Sequence, residues 1–165
     1  MNLVPVFVAL GANLRNPESQ VRAGFEALAM LPNTLLAAMS SLYRSAPVGY
    51  LDQPDFVNAV ARIDTALEPR KLLDALLAIE KRCGRVREFP NSPRTLDLDI
   101  ILYGDTEVRE PGLQIPHPRM HERAFVVVPL AEIAPDALVP GRGRVRDLVA
   151  GVDAAGLTKL ETPEN

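Results

Sequence analysis

Asp97 and Asp99 stand two apart in Ser92-Pro93-Arg94-Thr95-Leu96-Asp97-Leu98-Asp99-Ile100-Ile101-Leu102-Tyr103, a segment otherwise built for burial. In a strand, side chains alternate between faces, so both carboxylates point one way while Leu96, Leu98 and Ile100 point the other. Two neighbouring acids beside an apolar layer force one to take up a proton unless a cation neutralises them. Hard oxygen ligands in such a pair suit Mg²⁺, which sits on one or two carboxylates and completes its shell with waters and substrate phosphates. Alternatively, the acids face solvent at a strand end and pair with Arg85, Arg87 or Arg94. The same three arginines flank the loop leading into the acidic strand, so cations for phosphate oxygens and carboxylates for a metal converge within a short stretch. That layout suits phosphoryl transfer, which needs charge neutralisation and in-line positioning more than a covalent nucleophile.

Other chemistry-bearing residues are sparse. His117 lies between Pro116 and Pro118, where a rigid loop presents an imidazole to a phosphate or makes a structural hydrogen bond. Phe56 and Phe125, with Asn58 near the first, offer aromatic faces and an amide that suit a flat heterocycle, though by position both phenylalanines read as core. His121 reads as surface and Cys83 as core. No glycine-rich phosphate loop of the Walker or dinucleotide-binding type occurs, so phosphates must be held by side chains.

These residues need a scaffold. Val6 to Leu10 reads as a buried strand ended by Gly11-Ala12-Asn13, followed by a helix capped by Asn16, opened by Pro17 and striped with Val21, Phe25, Leu28 and Met30 or Leu31. Leu35 to Tyr43 and Phe56 to Ile63 read as an antiparallel strand pair, and Pro69 opens a second helix striped with Leu72, Leu76, Ile79 and Cys83 and stopped by Gly84. The acidic strand completes β-α-β-β-α-β. The expected fold is therefore α+β: a ferredoxin-like βαββαβ sheet with helices on both sides, three layers deep, plus C-terminal additions. Residues 1–165 are expected to form one domain, with the tail 150–165 unassigned.

Composition narrows the function. The 165 residues are 47% hydrophobic and 24% charged, as in ordinary globular proteins, and the net charge of −3 gives no overall attraction to nucleic acid or anionic membrane. An RNA-binding module on this sheet needs surface aromatics in a basic face, whereas aromatics make up 5% and tryptophan is absent. A metabolite-binding regulatory domain needs no paired aspartates beside three arginines. One cysteine permits no internal disulfide, and the start resembles no signal region, so a cytoplasmic monomer without nucleic-acid or membrane partners is expected.

Pro93-Arg94-Thr95-Leu96-Asp97-Leu98-Asp99 resembles the signature of the 6-hydroxymethyl-7,8-dihydropterin pyrophosphokinase family of folate biosynthesis. Leu10 to Leu14, Ser41 to Ser45, Asp52 to Asn58, Gly84 to Arg87, and Ile115 to Met120 with Arg123 and Phe125 are similar to further motifs of that family, in its order. The resemblance implies pyrophosphoryl transfer from ATP to the pterin hydroxymethyl group, with attack on the β-phosphorus and release of AMP. It implies that Asp97 and Asp99 hold two Mg²⁺ ions and that Arg85, Arg94, His117 and Arg123 contact ATP, with Arg87 as a loop contact. Arg85 and Arg94 thereby join the two acids as catalytic residues. The pterin lies between Phe56 and Phe125, hydrogen-bonded by Asn58, with Ser45, Ala46 and Val48 completing its pocket. Three departures stand out: the short, cation-free 88–92 loop, Leu77 where a glutamine is frequent near the helix glutamate Glu80, and Ala46 where proline is frequent. They imply altered affinity or rate with activity retained. The segments 44–55 and 85–93 are expected to close over the reactants, since water entering a half-formed site hydrolyses ATP.

Overall fold

The computed structural model describes residues 2–14, 16–46, 53–83 and 95–160. In chain order the elements are β1 (Val4–Ala12), α1 (Pro17–Ala29), β2 (Thr34–Met39), β3 (Tyr43–Ser45), β4 (Phe56–Thr65), α2 (Pro69–Arg82), β5 (Asp97–Tyr103), β6 (Val108–Glu110), β7 (Leu113–Ile115), a 3₁₀ turn (Met120–Glu122), α3 (Ala124–Ile133), β8 (Leu138–Val139), β9 (Gly143–Arg144), α4 (Val145–Val149) and β10 (Leu157–Lys159). The main sheet runs β10-β3-β4-β1-β5, with β2 also paired to β4, and every pairing in it is antiparallel.

The alternation of β1 divides the core. Val6, Val8, Leu10 and Ala12 face a cluster that holds Val21, Phe25 and Leu28 of α1 and Leu72, Leu76 and Ile79 of α2. Phe7 faces a second cluster with Val60, Ile101, Met120, Val126 and Leu130 of α3 and Val145 of α4. Gly24 lets α1 lie on the sheet, because a Cβ there would meet Leu10 Cδ2 at 2.7 Å. The stripe expected for α1 is buried except at Met30, which is 84% exposed while Leu31 packs on the cluster.

Five local expectations change. Asn16 occupies the N-cap position of α1 with φ 61 and its side chain makes no cap bond, so Pro17 rather than a capping amide starts the helix. The strand expected over Leu35 to Tyr43 is two strands, because Ser40 interrupts the ladder: its N–H donates to Val60 O (2.9 Å) and its hydroxyl accepts from Val60 N–H (2.9 Å). One extra residue between the Met39–Ala61 and Tyr43–Asn58 pairs makes this a bulge. Phe56 and Phe125 are half-buried at the edge of the second cluster's face and not core. The tail adds a strand, since β10 pairs with β3. His121 is likewise half-buried, and Cys83 packs against the first cluster as expected.

Candidate active site

The sheet register lays out the site. Gly11 of β1 is paired on one side with Asn58 of β4 and on the other with Asp97 of β5; two residues along, Ala9 is paired with Val60 and Asp99. Asn58, Gly11 and Asp97 thus form one row across three strands, facing the same side as Phe7. Farther down that face Phe7 fills the space under α3, but at Ala9 and Gly11 the side chains are too small to do so. A cleft of about 680 Å³ opens there.

The cleft gathers the predicted residues. Asp97 and Asp99 line it from β5, Ser45 and Ala46 from the end of β3, Phe56 and Asn58 from β4, His117 and Arg123 from the segment leading into α3, and Phe125 from the first turn of α3. Val48, Arg85, Arg87 and Arg94 lie outside the described residues, as do the whole 88–92 loop and residues 47–52 of the 44–55 segment. Arg119, Glu122, Asp153, Gly156 and Leu157 also line the cleft and carried no role in the sequence reading. Gly11 was legible only as a turn residue; its use as floor depends on cross-strand register.

Several bonds fix the lining. Asn58 is buried and its Nδ2 donates to Ser45 Oγ at 2.7 Å, which sets the amide's orientation. Its Oδ1 lies 3.3 Å from where a Cβ on Gly11 would stand. Asn13, also buried, donates to Gln53 Oε1 (2.7 Å) and Pro54 O (3.0 Å), tying the end of β1 to the entry of β4 and hence to Phe56. Strand β5 is a sheet edge, and its outward Leu98 N–H donates to Glu80 Oε2 of α2 at 2.7 Å, so the buried Glu80 holds the acidic strand from behind. Arg123 stands 5.6 Å from the Phe125 ring centroid, within cation–π range.

The imidazole of His117 sits among these charges. Burial lowers its pKa, Arg123 lowers it further, Asp97 opposes them, and Arg119 adds to the lowering; the net value lies below the usual 6.5. The ring is therefore neutral at physiological pH. Arg119 N–H donates to Nδ1 at 3.3 Å, leaving the proton on Nε2 as a donor. Away from the cleft lining, Glu132 of α3 accepts from Tyr43 OH (2.6 Å), Ser41 Oγ (2.8 Å) and Ser41 N–H (3.0 Å), fastening α3 to the start of β3. Burial raises the Glu132 pKa, but these hydrogen bonds and Lys159 outweigh it and the carboxyl lies below its usual range; Tyr43 is pushed up by burial and by Glu132.

A donor set of two carboxylates, open to substrate on one side, fits Mg²⁺. Among the described residues no group of three or more His, Cys, Asp or Glu able to hold a metal occurs, so an ion on these two carboxylates would take its remaining ligands from phosphates and waters.

Comparison with known proteins agrees with this geometry. The family model for 7,8-dihydro-6-hydroxymethylpterin-pyrophosphokinase matches residues 7–135. The chain is 49% identical over 155 residues to a 2-amino-4-hydroxy-6-hydroxymethyldihydropteridine pyrophosphokinase of Pseudomonas aeruginosa, covering 94% of this chain and 96% of that one. It is 49% identical over 147 residues to the Haemophilus influenzae protein of the same name, covering 89% and 92%. Its fold is similar to that of Plasmodium falciparum HPPK-DHPS crystallised with pterin and p-hydroxybenzoate, with a TM-score of 0.71 at 13% identity over 92% of this chain and 42% of that longer one. The chain belongs to the 7,8-dihydro-6-hydroxymethylpterin-pyrophosphokinase family and transfers the pyrophosphoryl group of ATP to hydroxymethyldihydropterin in folate biosynthesis.

Proposed function

We propose that the row Asn58–Gly11–Asp97 is the axis along which the two substrates meet. Two inter-strand spacings separate its ends, about 10 Å. That is the length of a fused two-ring heterocycle with a hydroxymethyl arm. With its ring edge on Asn58 and its faces between Phe56 and Phe125, the acceptor delivers its hydroxyl to Asp97 and Asp99. Ser45 and Ala46, with Val48 from the resemblance, border the ring. ATP enters from the His117 and Arg123 side, where a neutral Nε2–H and a guanidinium meet phosphate oxygens. Arg85, Arg87 and Arg94 are assigned to ATP by the resemblance.

In the reaction the hydroxyl oxygen attacks the β-phosphorus, the bond from that phosphorus to the α-phosphate bridging oxygen breaks, AMP leaves, and the hydroxyl proton is released. Asp97 and Asp99 would hold the two Mg²⁺ ions, and the chemistry supplied there when they are bound would be neutralisation of phosphate charge and acidification of the acceptor hydroxyl. The chain itself binds, orients and excludes water. No general base is needed on the cleft wall, and the neutral His117 acts as a donor.

The single observation that carries this reading is that acids and aromatics share one cleft across a floor of small residues. Phosphorus NMR with ATP, Mg²⁺ and 6-hydroxymethyl-7,8-dihydropterin tests it in the parent and in Asp97→Ala. The expected result is AMP with a pterin diphosphate in the parent, no turnover in the variant, and weakened Mn²⁺ binding by electron paramagnetic resonance in the variant. Undiminished Mn²⁺ binding by Asp97→Ala rules out the metal assignment. The two core clusters, one with α1 and α2 and the other with α3 and α4, support the ferredoxin-like three-layer arrangement as one domain. The cytoplasmic, monomeric state expected from the sequence is proposed as well; among the described residues no helix is long and apolar enough to cross a membrane.

A further inference from the structure

The family-model match ends at residue 135, yet the chain returns to the cleft after it. Strand β10 pairs with β3 in the register Leu157–Ser45, Thr158–Arg44, Lys159–Tyr43, and Leu160 N–H donates to Leu42 O at 2.8 Å. Leu157 is half-buried and lines the cleft together with Gly156 and Asp153. Its cross-strand partner is the serine that orients Asn58. Lys159 Nζ, two residues on, stands 4.0 Å from Glu132, so β10 is tied to the same carboxylate that fastens α3 to β3.

We propose that Leu157 is a specificity-determining contact to the acceptor heterocycle, and that β10 forms the wall of the cleft at that end. The proposal rests on the acceptor lying at the Asn58 end. An apolar side chain beside Ser45 covers the ring edge there and sets how large a ring substituent the pocket admits. Gly156, immediately before it, adds no side chain of its own, so among the described residues of this wall Leu157 supplies the apolar surface. Removing most of that side chain takes away apolar contact worth about five- to tenfold in affinity.

The test uses full-length protein and three variants. Leu157→Ala is expected to raise the acceptor KM about five- to tenfold, to leave the affinity for a non-hydrolysable ATP analogue within twofold, and to discriminate less against an acceptor carrying an extra ring methyl. Leu157→Met restores the parent values. In the parent, methyl-labelled Leu157 shows a nuclear Overhauser contact to acceptor protons in the ternary complex, a readout that stands whether or not Leu157→Ala folds. Absence of that contact, an acceptor KM unchanged in folded Leu157→Ala, or equal losses of acceptor and ATP-analogue affinity overturns the proposal. Asn58→Ala separates it from the site reading: if that variant binds acceptor as tightly as the parent, the placement of the acceptor has failed and the role of Leu157 falls with it, whereas weakened acceptor binding in Asn58→Ala beside an unchanged acceptor KM in Leu157→Ala overturns the role of Leu157 alone.

Discussion

His117 shows how a single residue's state is set by its surroundings. Its pKa is held below 6.5 by burial and by Arg123 and Arg119, against the pull of Asp97. The unfolded chain takes up a proton at 6.5 while the folded one stays neutral to lower pH, so the stability His117 contributes is present above 6.5 and falls as pH drops through the folded value. Proton NMR of the ligand-free protein is expected to show the His117 midpoint below 6.5; a midpoint above it contradicts the neutral-donor role. Gly11 gives a second prediction at this scale. A Cβ there stands 3.3 Å from Asn58 Oδ1, so the amide or the strand must shift. Gly11→Ala is expected to raise the acceptor KM about tenfold with little change in ATP affinity, measured by steady-state kinetics; an unchanged acceptor KM removes Gly11 from the floor. Asp97 and Asp99 were legible as a same-face pair because a period of two is all that is required. Gly11 was not, because its function lies in what stands beside it on β4 and β5.

Among elements, the acidic strand depends on a helix behind it. As a sheet edge, β5 has a Leu98 N–H with no strand to receive it, and buried Glu80 of α2 accepts it at 2.7 Å. Glu80→Ala leaves that donor unpaired, at a cost of about 1–3 kcal/mol, and lets the strand bearing both acids move. Denaturant unfolding is expected to show that loss, with weaker Mn²⁺ binding; full stability in Glu80→Ala shows that β5 needs no such anchor. In the sequence Glu80 is marked only by its spacing from Leu77, which is 49% exposed and three residues before it on α2. On the opposite side, Glu132 joins α3 to β3. Its carboxyl titrates below its usual 4.5, so the stability it confers is present above that pH and lost as pH falls through the folded value. Strand and helix types were legible from periodicity, including Pro17 and Pro69 at the helix starts. The bulge at Ser40 was not, because it arises from one hydroxyl replacing a ladder acceptor. Nor was β10, whose three residues carry too little pattern to be distinguished from loop.

At the scale of the whole molecule, one sheet divides labour between its faces. The face toward α1 and α2 is filled along its length by large apolar side chains. The other is filled only under α3 and α4; beyond Phe7 it opens into the cleft. The fold thus separates stability from chemistry, with the Asn58 end and the acidic end of the cleft two strands apart across a floor of alanine and glycine. A crystal structure of the ternary complex with 6-hydroxymethyl-7,8-dihydropterin, Mg²⁺ and a non-hydrolysable ATP analogue tests this layout most directly. It is predicted to show the ring between Phe56 and Phe125, its edge on Asn58, and its hydroxymethyl oxygen beside metal held by Asp97 and Asp99. A ring bound away from the Asn58–Gly11–Asp97 row, or metal bound without either aspartate, contradicts it.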